Sequence, residues 1–248
     1  MVLMSFSLPI IFLLVFIALL IGFNKTAVPS LGLFIVTLLM MIFPAKVAIG
    51  VMLPMLMVAD VYAVIAYRRS VDWKRLTNLL PWVVSGVVLG YITLTIIDEQ
   101  MFKYLIGSII LFFIFMIVFR KYFDFDEHII DIPFINIGMG GLGGFATTVS
   151  NAGGEVISIY LLLQQLPKAF FVGTVAYFFF LLNWIKFPLF WHLELIDMDL
   201  IKLTITLSVF ILLGAYIGEK VLPHIKQHRF NQIIIFLTFL GAINLFFS

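Results

Sequence analysis

The chain has no cysteine, so disulfide frameworks and cysteine-ligated metal centres are excluded. Charge is scarce: Asp, Glu, Lys and Arg make up 11% of its 248 residues, against about 25% in an ordinary soluble domain. With 63% hydrophobic residues, too few polar groups are left to cover a water-facing surface. A net charge of +2 is too small to hold a polyanion, which sets nucleic acid aside as a partner. The period-two alternation of barrel strands is missing. So are the Walker, HExxH and GxSxG sequences of nucleotide hydrolases, zinc peptidases and serine hydrolases. His224 and His228 are four apart, but they lie in a basic loop. No enzyme activity, cofactor or metal is expected. The stretch Met1 to Phe23 lacks a basic leader region and reads as a retained segment.

What the chain does have is long apolar runs, and these predict an all-α integral membrane protein, a polytopic helical bundle. The runs cover about Phe6 to Gly22, Leu33 to Phe43, Val47 to Tyr67, Leu79 to Ile97 and Phe102 to Phe119. They restart with Ile132 to Phe145, Val156 to Leu166, Ala169 to Trp191, Leu200 to Gly218 and Phe230 to Phe247. Two polar, glycine-rich stretches interrupt them, Gly22 to Gly32 and Gly138 to Glu155. Each glycine costs about 0.8–1.0 kcal/mol against alanine in a helix interior, so a helix that ends and restarts is expected at each. At membrane depth such a break survives only against protein or a water-filled cavity, and it offers helix ends and free N–H groups to a solute. The two stretches are therefore expected to be two halves of one substrate site.

The halves form a weak internal repeat. Gly22, Phe23, Thr26 and Gly32 align with Gly144, Phe145, Thr148 and Gly154 at one constant offset. After one inserted residue, Pro44, Gly50 and Asp60 face Pro167, Gly173 and Asn183, and after one more, Leu89 with Gly90 faces Leu213 with Gly214. Equivalent loops carry opposite charge. Arg68, Arg69, Lys74 and Arg75 stand against Glu194, Asp197 and Asp199; Asp98 and Glu99 stand against Lys220, Lys226 and Arg229. Because cytoplasmic loops are enriched in Lys and Arg, the halves are expected to be inverted-topology repeats with broken or re-entrant helices. The expected division is residues 1–122 (a hairpin plus three spans), an acidic linker 123–131, and residues 132–248. The arms of the second break, about 11 to 14 residues, are short against the roughly 20 needed to span, which predicts a re-entrant hairpin. Six crossings and two hairpins follow.

Several residues carry chemistry in this pattern. Lys25 lies inside the first break; an ionisable group in a membrane is a functional candidate by default, although a lysine also snorkels to interfaces. Asn24, Thr26 and Ser30 surround it. Thr147, Thr148, Ser150 and Asn151 offer donors for an oxyanion beside a helix terminus, and the same residue types cap helices. Glu155 reads as a proton carrier, a partner for a lysine, or a cap. Asp60 and Asn183 occupy equivalent positions on crossing helices, where a shared cavity and interhelical hydrogen bonding are both open. Lys186, one turn after Asn183, faces the same cavity or a helix end.

These motifs resemble the TauE/SafE family of sulfite and organosulfonate exporters. The resemblance rests on the run from Gly22 to Pro29, on Phe43 to Gly50 and Leu53 to Asp60, on Tyr67 to Lys74, and on Leu166 to Thr174. It implies a bacterial inner-membrane, multi-pass secondary transporter of small sulfur-containing anions. The site residues expected for substrate are Asn24, Lys25, Thr26, Ser30, Thr147, Thr148, Ser150, Asn151 and Asn183; those expected for coupling or gating are Asp60, Glu155 and Lys186. Expected partners are a small anion, membrane lipid, protons as a coupling ion and a second copy of the chain. An anion channel and a carrier for other small organic anions are the alternatives.

Overall fold

The structure, a computed structural model, describes residues 7–96, 108, 111, 133–150 and 153–247. Among the described residues every regular element is a helix: α1 (Leu8–Thr26), α2 (Gly32–Met40), α3 (Ala45–Ala66), α4 (Trp73–Ile96), α5 (Pro133–Ser150), α6 (Gly153–Leu163), α7 (Lys168–His192), α8 (Met198–Val221) and α9 (Gln227–Phe247), with a 3₁₀ turn at Leu222–His224. Five of them are long and apolar enough to cross a membrane: Leu8–Thr26, Val47–Ala66, Trp73–Thr93, Lys168–His192 and Met198–His224. Phe12, Phe16, Ile205, Val209 and Phe236 point outward, as side chains do where lipid takes the place of water. The chain is a polytopic helical membrane protein. Of the expected crossing Phe102 to Phe119 only residues 108 and 111 are described, and the acidic linker 123–131 lies outside the described residues.

Prolines set two of the helix starts. Pro44 and Pro167 stand at the N-caps of α3 and α7, each with φ −54°, and each biases the residue before it away from the helical region. Asp197 caps α8 by accepting a hydrogen bond from the Leu200 N–H at 2.8 Å. At the other end of α8, the Lys168 ammonium donates to the carbonyls of Leu222 and Pro223, both at 2.9 Å, and to that of Ile225. A cation there meets the carbonyls left over at a helix C-terminus.

The packing is built on backbone-to-backbone approach. In lipid no hydrophobic force draws helices together, so small residues that admit close contact carry the association. A Cβ on Gly22 would lie 2.5 Å from the Ala215 nitrogen and 3.0 Å from the Gly214 carbonyl carbon, so α1 is pressed against α8. A Cβ on Gly144 would lie 2.9 Å from the Val83 carbonyl carbon, so α5 is pressed against α4. The two seams match in register: Gly214 meets Leu19 and Gly218 meets Phe23 and Thr26, while Gly86 meets Gly141 and Gly90 meets Phe145 and Thr148. These contacts set Gly90 against Gly218, one turn beyond the alignment of Gly90 with Gly214 read from the sequence. Between the seams α3 and α7 run antiparallel, with Gly50 beside Leu195, Asp60 beside Asn183 and Gly173 beside Ser70. The Thr174 hydroxyl also accepts from the Asp72 N–H at 2.9 Å.

The breaks are shorter than the composition suggested. The helix α5 continues through Gly138, Gly140, Gly141, Gly143 and Gly144 to Ser150. The glycines at 140 and 144 are filled by α4 and that at 143 by Ile157 of α6, so close packing offsets their weak helix propensity. At 18 residues, about 27 Å at 1.5 Å per residue, α5 is longer than the arm expected from sequence. The first break likewise contracts to residues 27–31, because α1 holds Gly22 through Thr26. The arms after the breaks are short, 9 residues in α2 and 11 in α6. The second folds back on α5: Gly153 lies beside Thr147, Gly143 beside Ile157, and the Tyr160 hydroxyl donates to Asn136 Oδ1 at 2.8 Å. The pair α5–α6 is thus an antiparallel helical hairpin.

Candidate functional site

The last turn of α1 is buried and polar. The Thr26 hydroxyl donates to the carbonyls of Ala215 (2.8 Å) and Gly22 (3.2 Å), and the Tyr67 hydroxyl donates to the Thr26 carbonyl at 2.6 Å. The Asn24 side-chain oxygen accepts from the Leu31 N–H at 3.0 Å, which closes the 27–31 break into a tight loop. That loop touches the start of α6. The Ser30 hydroxyl donates to the Ser158 hydroxyl at 3.0 Å, and a Cβ on Gly154 would lie 2.9 Å from the Pro29 carbonyl oxygen. The first break therefore meets the first turns of α6.

Four charged side chains are buried among the described residues: Lys25, Asp60, Glu155 and Lys186. The Lys25 ammonium lies 2.6 Å from Asp60 Oδ1 and 4.4 Å from the centre of the Phe179 ring. The other Asp60 oxygen accepts from Asn183 Nδ2 at 2.6 Å, and Asn183 Oδ1 is buried with no hydrogen-bond partner among the described residues. Lys186 donates to the Thr147 carbonyl at 2.8 Å and to its hydroxyl at 3.3 Å, and lies 5.1 Å from the centre of the Phe190 ring. Thr147 is in the last turn of α5, where carbonyls lack helical partners and attract a cation. Removing one partner of such a pair leaves the other charge buried and uncompensated, at about 3–5 kcal/mol.

The two lysine ties run in opposite senses. In the first half the lysine is on α1 (Lys25) and the acceptor on α3 (Asp60). In the second the lysine is on α7 (Lys186) and the acceptor on α5 (Thr147). Lys25 and Thr147 occupy equivalent places in the sequence repeat, as do Asp60 and Asn183.

Beside these ties is a cavity of about 30 Å³ lined by Asn24, Lys25, Pro29, Gly32, Met52, Leu56, Thr147, Gly154, Val175 and Phe179. It has room for roughly two water molecules. Eight of its ten lining residues form four pairs at the offset of the repeat: Lys25 with Thr147, Gly32 with Gly154, Met52 with Val175, Leu56 with Phe179. Both halves of the sequence thus contribute to the walls of one space.

Of the residues singled out from the sequence, Asn24, Lys25 and Thr147 line this cavity; Asp60 and Lys186 bond lining residues, Asn183 bonds Asp60, and Ser30 bonds Ser158 beyond the lining. Thr26 and Thr148 are buried, but their hydroxyls bond backbone carbonyls, that of Thr148 reaching Gly144 within its own helix at 2.8 Å. Glu155 is fully buried in the first turn of α6, where the helix dipole favours a carboxylate. Ser150 ends α5, and Asn151 lies outside the described residues. Sequence reasoning missed Tyr67, Ser158 and the apolar wall of Met52, Leu56, Val175 and Phe179. The last four pair only with one another across the repeat, so no residue singled out from the sequence pointed to them.

A multi-pass helical bundle with a helix break that meets α6 and a buried ionic cluster defines a class, the membrane transport proteins. The family model described as sulfite exporter TauE/SafE matches residues 14–245, and the chain belongs to that family. Searches of the curated proteins and of the solved structures returned no match.

Proposed function

We propose that this protein is a secondary active exporter of small sulfur-containing anions, such as sulfite or organosulfonates, across a bacterial inner membrane by alternating access. Residues 1–122 and 132–248 act as inverted repeats joined by the linker 123–131, with Asn24, Lys25, Thr147 and Asn183 holding the anion and Asp60, Glu155 and Lys186 controlling coupling. The observation that carries this reading is the cavity whose walls pair off between the halves, with Lys25 as its cation. A site on a two-fold axis between inverted halves is exposed to one side or the other by rocking one half against its counterpart. The matched seams of α1 on α8 and α5 on α4, and the antiparallel α3 and α7, support the inversion.

Counterflow tests it. Liposomes loaded with unlabelled sulfite or taurine should concentrate the labelled anion transiently and saturably, and the charge-neutral double variant Lys25→Met/Asp60→Asn should not. Flux that never concentrates label would point to a channel; absence of flux with either anion, and with small carboxylates, would overturn the reading.

A further inference from the structure

The geometry points to Asp60 as the resident occupant of the anion site, a carboxylate that holds Lys25 in the empty carrier and competes with substrate for it. This inference rests on the anion-carrier reading above and adds what sets its affinity. The Asp60 carboxylate is bound as an oxyanion substrate would be: one oxygen 2.6 Å from an ammonium, the other 2.6 Å from an amide donor, and the whole group buried. Asp60 does not line the cavity; Lys25 does. An anion entering the cavity therefore meets the same ammonium from its open side, opposite a carboxylate that already neutralises it. In a low-dielectric surround that neutralisation removes most of the attraction for a second anion. Tight binding then requires the Lys25–Asp60 contact to lengthen, and its re-formation expels the anion. The equivalent position in the second half is Asn183, which donates to Asp60 without offering a rival charge to Lys25.

The test compares full-length wild type, Asp60→Asn and Lys25→Met/Asp60→Asn in lipid nanodiscs, titrating sulfite and separately ethanesulfonate while following thermal unfolding. Asp60→Asn should bind one of these probes at least tenfold more tightly than wild type, and the double variant should lose that gain. Equal or weaker binding by Asp60→Asn, or an equal gain in the double variant, would overturn the inference. Should Asp60→Asn unfold in probe-free buffer because Lys25 is left unpaired, either anion should restore the folded state, and failure to do so overturns it as well. Saturable counterflow by wild type without tighter binding by Asp60→Asn sinks this inference alone. Absence of wild-type flux sinks the carrier reading, and the affinity comparison still stands as its own measurement.

Discussion

Adding a single methyl group at Gly144 should damage this protein more than any helix-propensity argument allows. Its Cβ would lie 2.9 Å from the Val83 carbonyl carbon, 3.0 Å from the Val83 Cα and nearer still to the carbonyl oxygen, whereas ordinary contact begins near 3.4 Å. The obstacle is backbone, which cannot rotate away, so α4 and α5 must part by about 1 Å along a seam that also holds Gly86 and Gly90. Overpacking of this kind costs about 1–3 kcal/mol, occasionally more; a rigid backbone neighbour argues for the upper end. Alanine returns about 1 kcal/mol in helix propensity, so Gly144→Ala should destabilise by about 2 kcal/mol net. Gly138 is the internal control. It lies in the same helix, is exposed, and a Cβ there meets nothing within 4 Å among the described residues. Gly138→Ala should be neutral or stabilise by up to about 1 kcal/mol. Tryptophan-fluorescence unfolding of the two variants in mild detergent reads the difference directly. Equal midpoints for both would refute the close-packed seam and return these glycines to the role of helix breakers.

Other expectations follow from the same contacts. Lys168→Met removes a cation that binds three carbonyls at the end of α8; a loss of about 1–2 kcal/mol is expected, read from unfolding midpoints, and an unchanged midpoint would make the contact ornamental. Lys186→Met leaves the Thr147 carbonyl without its buried cation, so transport should fall at least tenfold while Lys186→Arg recovers part of it; full activity in Lys186→Met would remove this lysine from the mechanism. Because the chain has no cysteine, a single Ser70→Cys should react with impermeant reagent only from the cytoplasmic side and Asp199→Cys only from outside. The reverse pattern would overturn the orientation drawn from loop charge.

Much of the fold was legible because membrane helices announce themselves by length and apolarity, and because prolines at 44 and 167 cannot continue a helix backwards. The placement of Asp60 opposite Asn183 could be anticipated too, since two polar residues at mirrored depths on crossing helices have few other partners in lipid. The glycine stretches were misjudged for a physical reason. Propensity counts what glycine costs an isolated helix, and it is silent on what glycine permits between two of them. At Gly140 and Gly144 the second term outweighs the first, and the helix runs on to Ser150.

The exchange of lysines was illegible for a different reason. Repeat alignment compares like with like, and it pairs Lys25 with Thr147 and Lys186 with Ala63. Neither pairing conserves a charge. What the two ties share is a link from α1 or α5 to α3 or α7, and an ammonium can sit at either end of it. In the first half its partner is a full carboxylate, and in the second a carbonyl and hydroxyl at a helix C-terminus. The acceptors differ in strength: one carries a whole charge, the other about half of one spread over a helix end. The tie at Lys25 is therefore the stronger of the two, though both are buried, and an anion reaching that ammonium must compete with a full carboxylate. Because Lys25 lines the cavity and Lys186 does not, it is at Lys25 that the proposed substrate would contend with a protein carboxylate.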